Sequence, residues 1–159
     1  MSKYNDTIYA LSTPTGKSAI ALIRISGKKS LSTIKKISTI KKIIPNQTKL
    51  IFLKFKKSLI DQVLITYFKA PKSFTGEDMV EISCHGSQAI ILKISQILNF
   101  FNLRLAEPGE FTRRALINDK LDLIQTESIL DLINSETEKQ RSLAISNLSG
   151  SLSSFIKKI

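Results

Sequence analysis

The chain has 159 residues, which accommodates one hydrophobic core with an appended element and leaves little room for a second full domain. Its hydrophobic content of 42% and charged content of 23% are ordinary for a globular protein, and no apolar run approaches the ~18 residues of a membrane span. A single cysteine excludes an internal disulfide, and the opening residues lack the apolar stretch of a secretory signal, so a cytoplasmic protein without membrane contact is expected.

The net charge of +11 is compatible with a nucleic-acid partner, because clustered cations bind phosphates by releasing counterions. Only five of the 24 basic residues are arginines, however, and the lysines occur among many isoleucines, asparagines and serines. Such a composition is also typical of an A/T-biased coding sequence. The charge alone therefore identifies no partner, and a small basic RNA-binding module remains an alternative function.

The first third of the chain is predicted to form two strands and a helix. The short apolar segments 7–11 and 19–25 are separated by a turn sequence at residues 13–16. Apolar residues at three- and four-residue spacing then predict a helix over residues 29–43, which Pro45 ends.

The middle of the chain continues the mixed pattern. Segments 50–55 and 59–68 predict an antiparallel hairpin, because only a short polar link joins them. Residues 79–84 alternate as a half-buried strand, and an apolar face predicts a helix over residues 87–101. Residues 103–106 are compatible with a short return strand.

From Pro108 onward the pattern is helical to the end of the sequence, with an amphipathic register that runs through Leu152 and Ile159. A long amphipathic segment needs an apolar partner surface, so we expect it to be covered by another chain or by sequence outside these 159 residues. The predicted fold is therefore α+β, with a compact domain over residues 1–115 and one arm of a helical domain over residues 116–159.

The Gly-Lys-Ser sequence at residues 16–18 resembles the end of a phosphate-binding loop, but it fails two requirements of that motif. Leu11 stands where the first glycine belongs, and a predicted strand follows where a helix is needed. The Gly-Lys pair at residues 27–28 fails in the same way, with Leu22 at the glycine position. No nucleotide-binding loop is predicted.

Cys84 and His85 suggest a thiol–imidazole pair, but neighbouring residues of a strand point to opposite faces. A buried cysteine beside an unrelated histidine is the better interpretation. One cysteine and one histidine are also too few for a zinc site. We predict no metal and no catalytic residue.

Three charged residues on ordered elements are the candidate site residues: Arg24, Glu81 and Lys120. Arginine is costly at the end of an apolar strand unless it is paired or faces a ligand. A carboxylate fixed on a strand, such as that of Glu81, can accept two parallel hydrogen bonds from a planar N–H/NH₂ edge. Lys120 lies between Asp119 and Asp122 at a junction of elements. Taken singly, each of the three also has a structural explanation.

A series of motifs resembles the N-terminal part of the tRNA-modification GTPase family MnmE/TrmE. They occur in the family's order and spacing over nearly the whole chain, which makes the series far more specific than any one member. The motifs are Asp6-Thr7-Ile8, Arg24-Ile25-Ser26-Gly27, Ser73-Phe74-Thr75-Gly76-Glu77-Asp78 with Glu81, His85-Gly86, Pro108-Gly109-Glu110-Phe111, and Asn118-Asp119-Lys120-Leu121-Asp122-Leu123 with Gln125 and Glu127.

The resemblance implies a tetrahydrofolate-binding domain similar in fold to that of the glycine-cleavage T-protein. It also implies a homodimer that holds 5-formyltetrahydrofolate near the dimer interface. By motif match the folate contacts are Arg24, Glu81 and Lys120. Glu81 is suited to the amino-pyrimidinone edge of the pterin, and the two cations suit the ligand's oxygens or its glutamate carboxylates.

Members of the family use the folate-derived one-carbon unit, together with the FAD-dependent partner MnmG (GidA), to modify the wobble uridine of certain tRNAs. Their GTPase domain, with its GTP, Mg²⁺ and K⁺, is inserted in the helical domain, downstream of the position that matches Ile159. The resemblance therefore implies that this chain alone has no GTPase activity. A non-functional truncated remnant is the remaining alternative.

Overall fold

The structure is a computed structural model that describes residues 6–40 and 42–150. Within these residues, six strands and five helices form an α+β fold, as the sequence predicts. The fold divides into two compact units, one ending at Pro108 and one beginning at Gly109. No helix in the described ranges has the length and apolar character needed to cross a bilayer.

The first unit is built on one six-stranded sheet. Its strands are β1 (Ile8–Leu11), β2 (Ser18–Ser26), β3 (Thr48–Phe55), β4 (Ser58–Phe68), β5 (Met79–Gly86) and β6 (Arg104–Leu105). Their order is β3-β4-β5-β2-β1-β6, and every neighbouring pair is antiparallel except the parallel pair β1–β6. The predicted β3–β4 hairpin is confirmed, and the other predicted strands are present with ends shifted by a few residues.

Two helices, α1 (Ser30–Lys36) and α2 (Gln88–Phe100), pack on one face of this sheet. Strand alternation sends Ile23 and Ile25 into the core on that face. Tyr9 marks the same face, because its hydroxyl donates to Asn99 Oδ1 of α2 at 2.9 Å. Arg24 lies between Ile23 and Ile25 in the strand, so its side chain emerges on the opposite, outer face.

The predicted helix over residues 29–43 is too long, because α1 ends at Lys36. The carbonyl of Ile37 accepts the backbone N–H of Lys54 at 2.7 Å, and Ser38 forms an isolated bridge with Leu53. This segment therefore exchanges helical hydrogen bonds for pairing with β3. Helical periodicity did not reveal the change, since the edge strand that offers the pairing follows later in the sequence.

The second unit, as far as residue 150, contains three helices, α3 (Glu110–Ile117), α4 (Leu123–Ile133) and α5 (Glu138–Leu148). The helical pattern predicted from Pro108 onward is thus confirmed within the described residues, but it is divided into three helices and is not one continuous amphipathic segment. Its register positions Leu152 and Ile159 lie outside the residues that the structure describes.

Capping boxes explain where α4 and α5 begin. Asp122 accepts the N–H of Gln125 at 2.9 Å, and its own N–H donates to Gln125 Oε1 at 3.0 Å. Thr137 and Gln140 repeat the arrangement at the start of α5. Each box satisfies backbone donors that a new helix leaves unpaired, so these are true starts rather than kinks.

The expected need for apolar cover is met only in part inside the second unit. Helices α4 and α5 pack on each other, and Gln125 Nε2 donates to the carbonyl of Leu148 at 3.1 Å. Leu130 and Ile133 of α4 nevertheless remain exposed.

Candidate functional site

The candidate site lies on β2 and β5, the central strands of the sheet, where Arg24 stands directly opposite Glu81. Nε and Nη2 of Arg24 donate to Glu81 Oε1 at 3.0 and 2.7 Å. The side chains are 23% and 21% exposed, so the pair is sheltered but reachable from solvent. The fold thus brings two of the three predicted site residues into contact on the outer face.

The pairing leaves part of the carboxylate open. Both bonds from Arg24 end on Oε1, and no hydrogen bond to Oε2 is found among the described residues. An ionised carboxylate has room for about four hydrogen bonds. Glu81 can therefore accept further donors from a ligand on the outer face.

Phe74 lies beside Arg24. The guanidinium carbon lies 5.1 Å from the centre of the Phe74 ring, within the range of a cation–π contact. The loop that carries Phe74 is anchored by buried polar side chains: Ser26 Oγ donates to Glu77 Oε2 at 2.7 Å and lies 2.7 Å from Thr75 Oγ1. Sequence reasoning included Phe74 only as a member of a motif; an aromatic residue in that loop was the one available signal.

The acid that follows Glu77 has a structural role. Asp78 Oδ1 accepts the hydroxyl of Tyr67 at 2.9 Å and the backbone N–H of Ala70 at 3.0 Å. Burial, with the hydrogen bond and negative charge of Asp78, raises the pKa of Tyr67 to about 12. Asp78 thus ties β4 to the loop that follows it.

Lys120 belongs to the second unit, whereas Arg24 and Glu81 belong to the first. It follows α3, where Asp119 adopts a positive φ of 55° and the N–H of Lys120 donates to the carbonyl of Ala115 at 2.8 Å. This places the exposed Lys120 at a junction of elements, as the sequence predicts.

The predicted separation of Cys84 from His85 is confirmed. Cys84 is buried, and its Sγ donates to the carbonyl of Ala21 at 3.5 Å. His85 is exposed, and its Nδ1 lies 2.7 Å from Asp61 Oδ1. Across the described parts of the chain, no group of three His, Cys, Asp or Glu residues is placed to hold a metal ion.

Comparison with known proteins places these features in a family. The family model described as GTP-binding protein TrmE N-terminus matches residues 7–120. The tRNA modification GTPase MnmE of Fervidobacterium nodosum is 49% identical over 158 residues, which cover 96% of this chain and 34% of that protein. MnmE of Thermotoga maritima is 40% identical over 155 residues, with 97% and 34% covered. MnmE of Lactococcus lactis subsp. lactis is 42% identical over 157 residues, with the same two coverages, 97% and 34%.

The chain therefore spans about a third of the length of these curated relatives. The match over residues 7–120 includes the outer-face pair Arg24–Glu81, the Phe74 loop and the turn at Lys120. Since the family model covers well over half of its residues, the chain belongs to the TrmE N-terminal family.

Proposed function

We propose that this chain is the 5-formyltetrahydrofolate-binding and dimerisation part of a tRNA wobble-uridine modification GTPase. In this proposal, residues 1–115 form a tetrahydrofolate-binding domain like that of the glycine-cleavage T-protein, and residues 116–159 form the first arm of a helical domain. The observation that carries the proposal is the Arg24–Glu81 pair on the open face of the sheet.

The chemistry of the pair suits a pterin. One edge of a pterin presents a ring N–H beside an amino group, and two parallel hydrogen bonds to a carboxylate match that edge. Glu81 has Oε2 open for one of them. Full engagement requires Arg24 to share or leave Oε1, and the Phe74 ring keeps its guanidinium nearby when it does. Arg24 and Lys120 supply positive charge for the ligand's oxygens and carboxylates.

The proposed dimer uses an apolar row on the same face. Leu50 of β3 pairs with Leu64 of β4, and Ser83 of β5 stands next to both Leu64 and Leu22 in register. Leu50 is 61% exposed and Leu64 is 44% exposed. An apolar patch of this kind is stabilised by cover, and a second copy offers an identical patch in a two-fold arrangement. Because the row lies two residues along the strands from Arg24 and Glu81, the partner copy would border the folate site.

The wider roles come from the family. The folate supplies the one-carbon unit, and the FAD-dependent protein MnmG acts with the dimer on tRNA in the cytoplasm. GTP, Mg²⁺ and K⁺ belong to the part of the relatives beyond the matched third, because this sequence has no phosphate-binding loop of the GTPase type. Purified chain is expected to hydrolyse no GTP above a protein-free control.

Calorimetric titration with 5-formyltetrahydrofolate tests the proposal through Glu81→Gln. The amide keeps the size of the side chain but offers one acceptor, and its NH₂ group opposes a pterin donor. We expect saturable binding by the wild-type chain and a loss of roughly tenfold or more in the variant, since a charged hydrogen-bond partner is removed. Glu136→Gln, the same change on an acid of the second unit, serves as the control and should bind like wild type.

Equal affinities for Glu81→Gln and wild type would contradict the pterin-edge role, and failure of the folded wild-type chain to bind would contradict folate binding itself.

The salt dependence of binding separates the folate proposal from the RNA-binding alternative. Between about 50 and 200 mM salt, binding through many phosphates falls by orders of magnitude, whereas folate binding by this pair should change little.

A further inference from the structure

A cavity of about 680 Å³ lies between the β1–β2 loop and the start of α2. Its lining includes the apolar residues Leu11, Ile91 and Leu92 and the basic residues Lys17 and His85. Neither Arg24 nor Glu81 lines it. Leu11 and Ile91 also pack against the core that α1 and α2 cover, so this cavity is separate from the outer-face site.

His85 is held in a fixed orientation at the wall of this cavity. Asp61 Oδ2 accepts the backbone N–H of His85 at 2.9 Å, while Oδ1 lies 2.7 Å from the ring Nδ1. The Asp61 side chain is only 7% exposed, whereas His85 is 66% exposed. One sheltered carboxylate thus secures both the backbone and the ring. The other ring nitrogen, Nε2, has no partner among the described residues. Because Nδ1 donates to Asp61, Nε2 donates to a ligand when the ring carries both protons.

The charge of the lining favours an anion. Lys17 makes no ion pair within the described residues, and none of the residues lining the cavity is acidic. Asp61, which contacts His85, accepts both the backbone N–H and the ring of that residue. The first turn of α2 adds a positive potential, because the N–H groups at a helix start carry partial positive charge. This turn contains no acid, and Ser87 makes no side-chain cap there.

The fold also places the Gly-Lys-Ser loop, residues 16–18, next to the start of a helix that does not follow it in sequence. Ser18 pairs with Gly86 at the ends of β2 and β5, which brings residues 16–18 beside the start of α2. A Cβ atom at Gly86 would overlap the hydroxyl and carbonyl of Ser18, so this close approach requires glycine. A strand does follow the loop, yet a helix from a distant part of the sequence borders the same cavity.

We propose that this cavity binds a small organic anion. Its phosphate or carboxylate group would accept from Nζ of Lys17 and from Nε2–H of the imidazolium form of His85, and its apolar body would pack on Leu11, Ile91 and Leu92. Apolar walls with a few convergent polar groups are the usual features of such sites. The proposal does not depend on folate binding, because neither Arg24 nor Glu81 lines the cavity.

The test is a titration of the ¹⁵N-labelled chain with phenyl phosphate and with benzoate, followed by two-dimensional NMR. Saturable shifts are expected at the amides of Lys17, His85 and Gln88. Inorganic phosphate and phenol, which each lack one half of the ligand, should bind much more weakly. Lys17→Ala and His85→Gln should each weaken binding by roughly tenfold, as expected for loss of a charged or positioned hydrogen-bond partner. Lys93→Ala removes the same charge from α2 outside the cavity lining and should leave binding unchanged.

Both Lys17 and His85 are exposed, so their variants should fold, and their spectra check this directly. The proposal is overturned if neither aromatic anion gives saturable shifts, or if Lys93→Ala weakens binding as much as Lys17→Ala. Equal binding of inorganic phosphate would eliminate the apolar half of the site. Shifts confined to Arg24 and Glu81 would assign the ligand to the outer face, whereas unchanged phenyl phosphate binding in Glu81→Gln would support a separate site.

Discussion

Glu77 and Glu81 are four residues apart, yet the fold gives their carboxylates opposite environments. Glu77 is 2% exposed and accepts a hydrogen bond from Ser26 within a buried network. Glu81 lies on the outer face of β5, where Arg24 engages only one of its oxygens. At the residue scale, burial and partners thus separate a structural acid from a candidate ligand-binding one.

Cys84 provides a prediction at the same scale. Burial, aided by the negative charge of Asp61, raises the pKa of its thiol to about 11 from the ordinary 9.0. At pH 8 almost no thiolate forms, and the sulfur is enclosed, so a disulfide reagent such as DTNB should leave the native chain unmodified and label it fully in urea. Absorbance of the released thiol measures the reaction.

Ser32→Cys gives the matched control, because Ser32 is exposed on α1 and a thiol there should be labelled in the native state. Rapid native labelling of the wild-type chain would contradict the burial of Cys84.

The raised pKa of Cys84 also sets how stability depends on pH. The neutral thiol's contribution to the free energy of unfolding is complete below about pH 9 and is lost as the pH rises through about 11.

At the element scale, tight packing at single backbone positions joins strands to the segments beside them. Gly27 follows β2 with a φ of 125°, and its N–H donates to the carbonyl of Asp78 at 2.9 Å. A Cβ atom there would lie 2.7 Å from Thr7 Oγ1 and 2.8 Å from the carbonyl oxygen of Asp6. The two residues before β1, the end of β2 and the residue before β5 therefore meet at a position that only glycine fits.

Gly27→Ala should lower the free energy of unfolding by about 2–3 kcal/mol, because backbone strain and a steric clash act together. Urea denaturation followed by circular dichroism measures the loss. Gly16→Ala is the matched control: its φ of 138° is also positive, but no atom lies within 4 Å of a Cβ placed there. In Gly16→Ala only backbone strain should act, and the free energy of unfolding should fall by about 1 kcal/mol. Equal losses in the two variants would show that the clash does not contribute.

The helix boundaries differ in whether the local sequence predicts them. The segment after Lys36 looks helical by its apolar spacing, but the carbonyl of Ile37 accepts from Lys54 in β3. The starts of α4 and α5, in contrast, were readable as Asp122-x-x-Gln125 and Thr137-x-x-Gln140, since a capping box uses only neighbouring residues. The end of α1 depends on a strand that is distant in sequence, so local periodicity does not contain it. The starts of α4 and α5 depend on capping residues that the local sequence does contain.

At the scale of the whole molecule, the sheet's outer face combines a charged pair with an exposed apolar row. If a second copy covers that row, Leu64→Lys should destabilise the dimer, because it places a charge at the centre of the interface. We expect the dimer dissociation constant to rise by roughly tenfold or more, measured by sedimentation equilibrium.

Leu105→Lys makes the same change on β6, at the opposite edge of the sheet from β3, where the side chain is 60% exposed. It should leave the dissociation constant unchanged. A wild-type chain that stays monomeric at high concentration, or equal effects of the two variants, would contradict the proposed interface.

The sequence by itself determined the α+β class, the β3–β4 hairpin, α2 and the family, because periodicity and motif order are properties of short segments. It also selected Arg24 and Glu81 as candidates. Only the tertiary structure decided that these two side chains, 57 positions apart, are joined by two hydrogen bonds, and that the Phe74 ring lies beside Arg24. It likewise placed the Gly-Lys-Ser loop at the start of α2 and Asp61 behind His85. Such contacts depend on which strands pair and in what register, and that choice is made by the packing of the whole sheet rather than by any one segment.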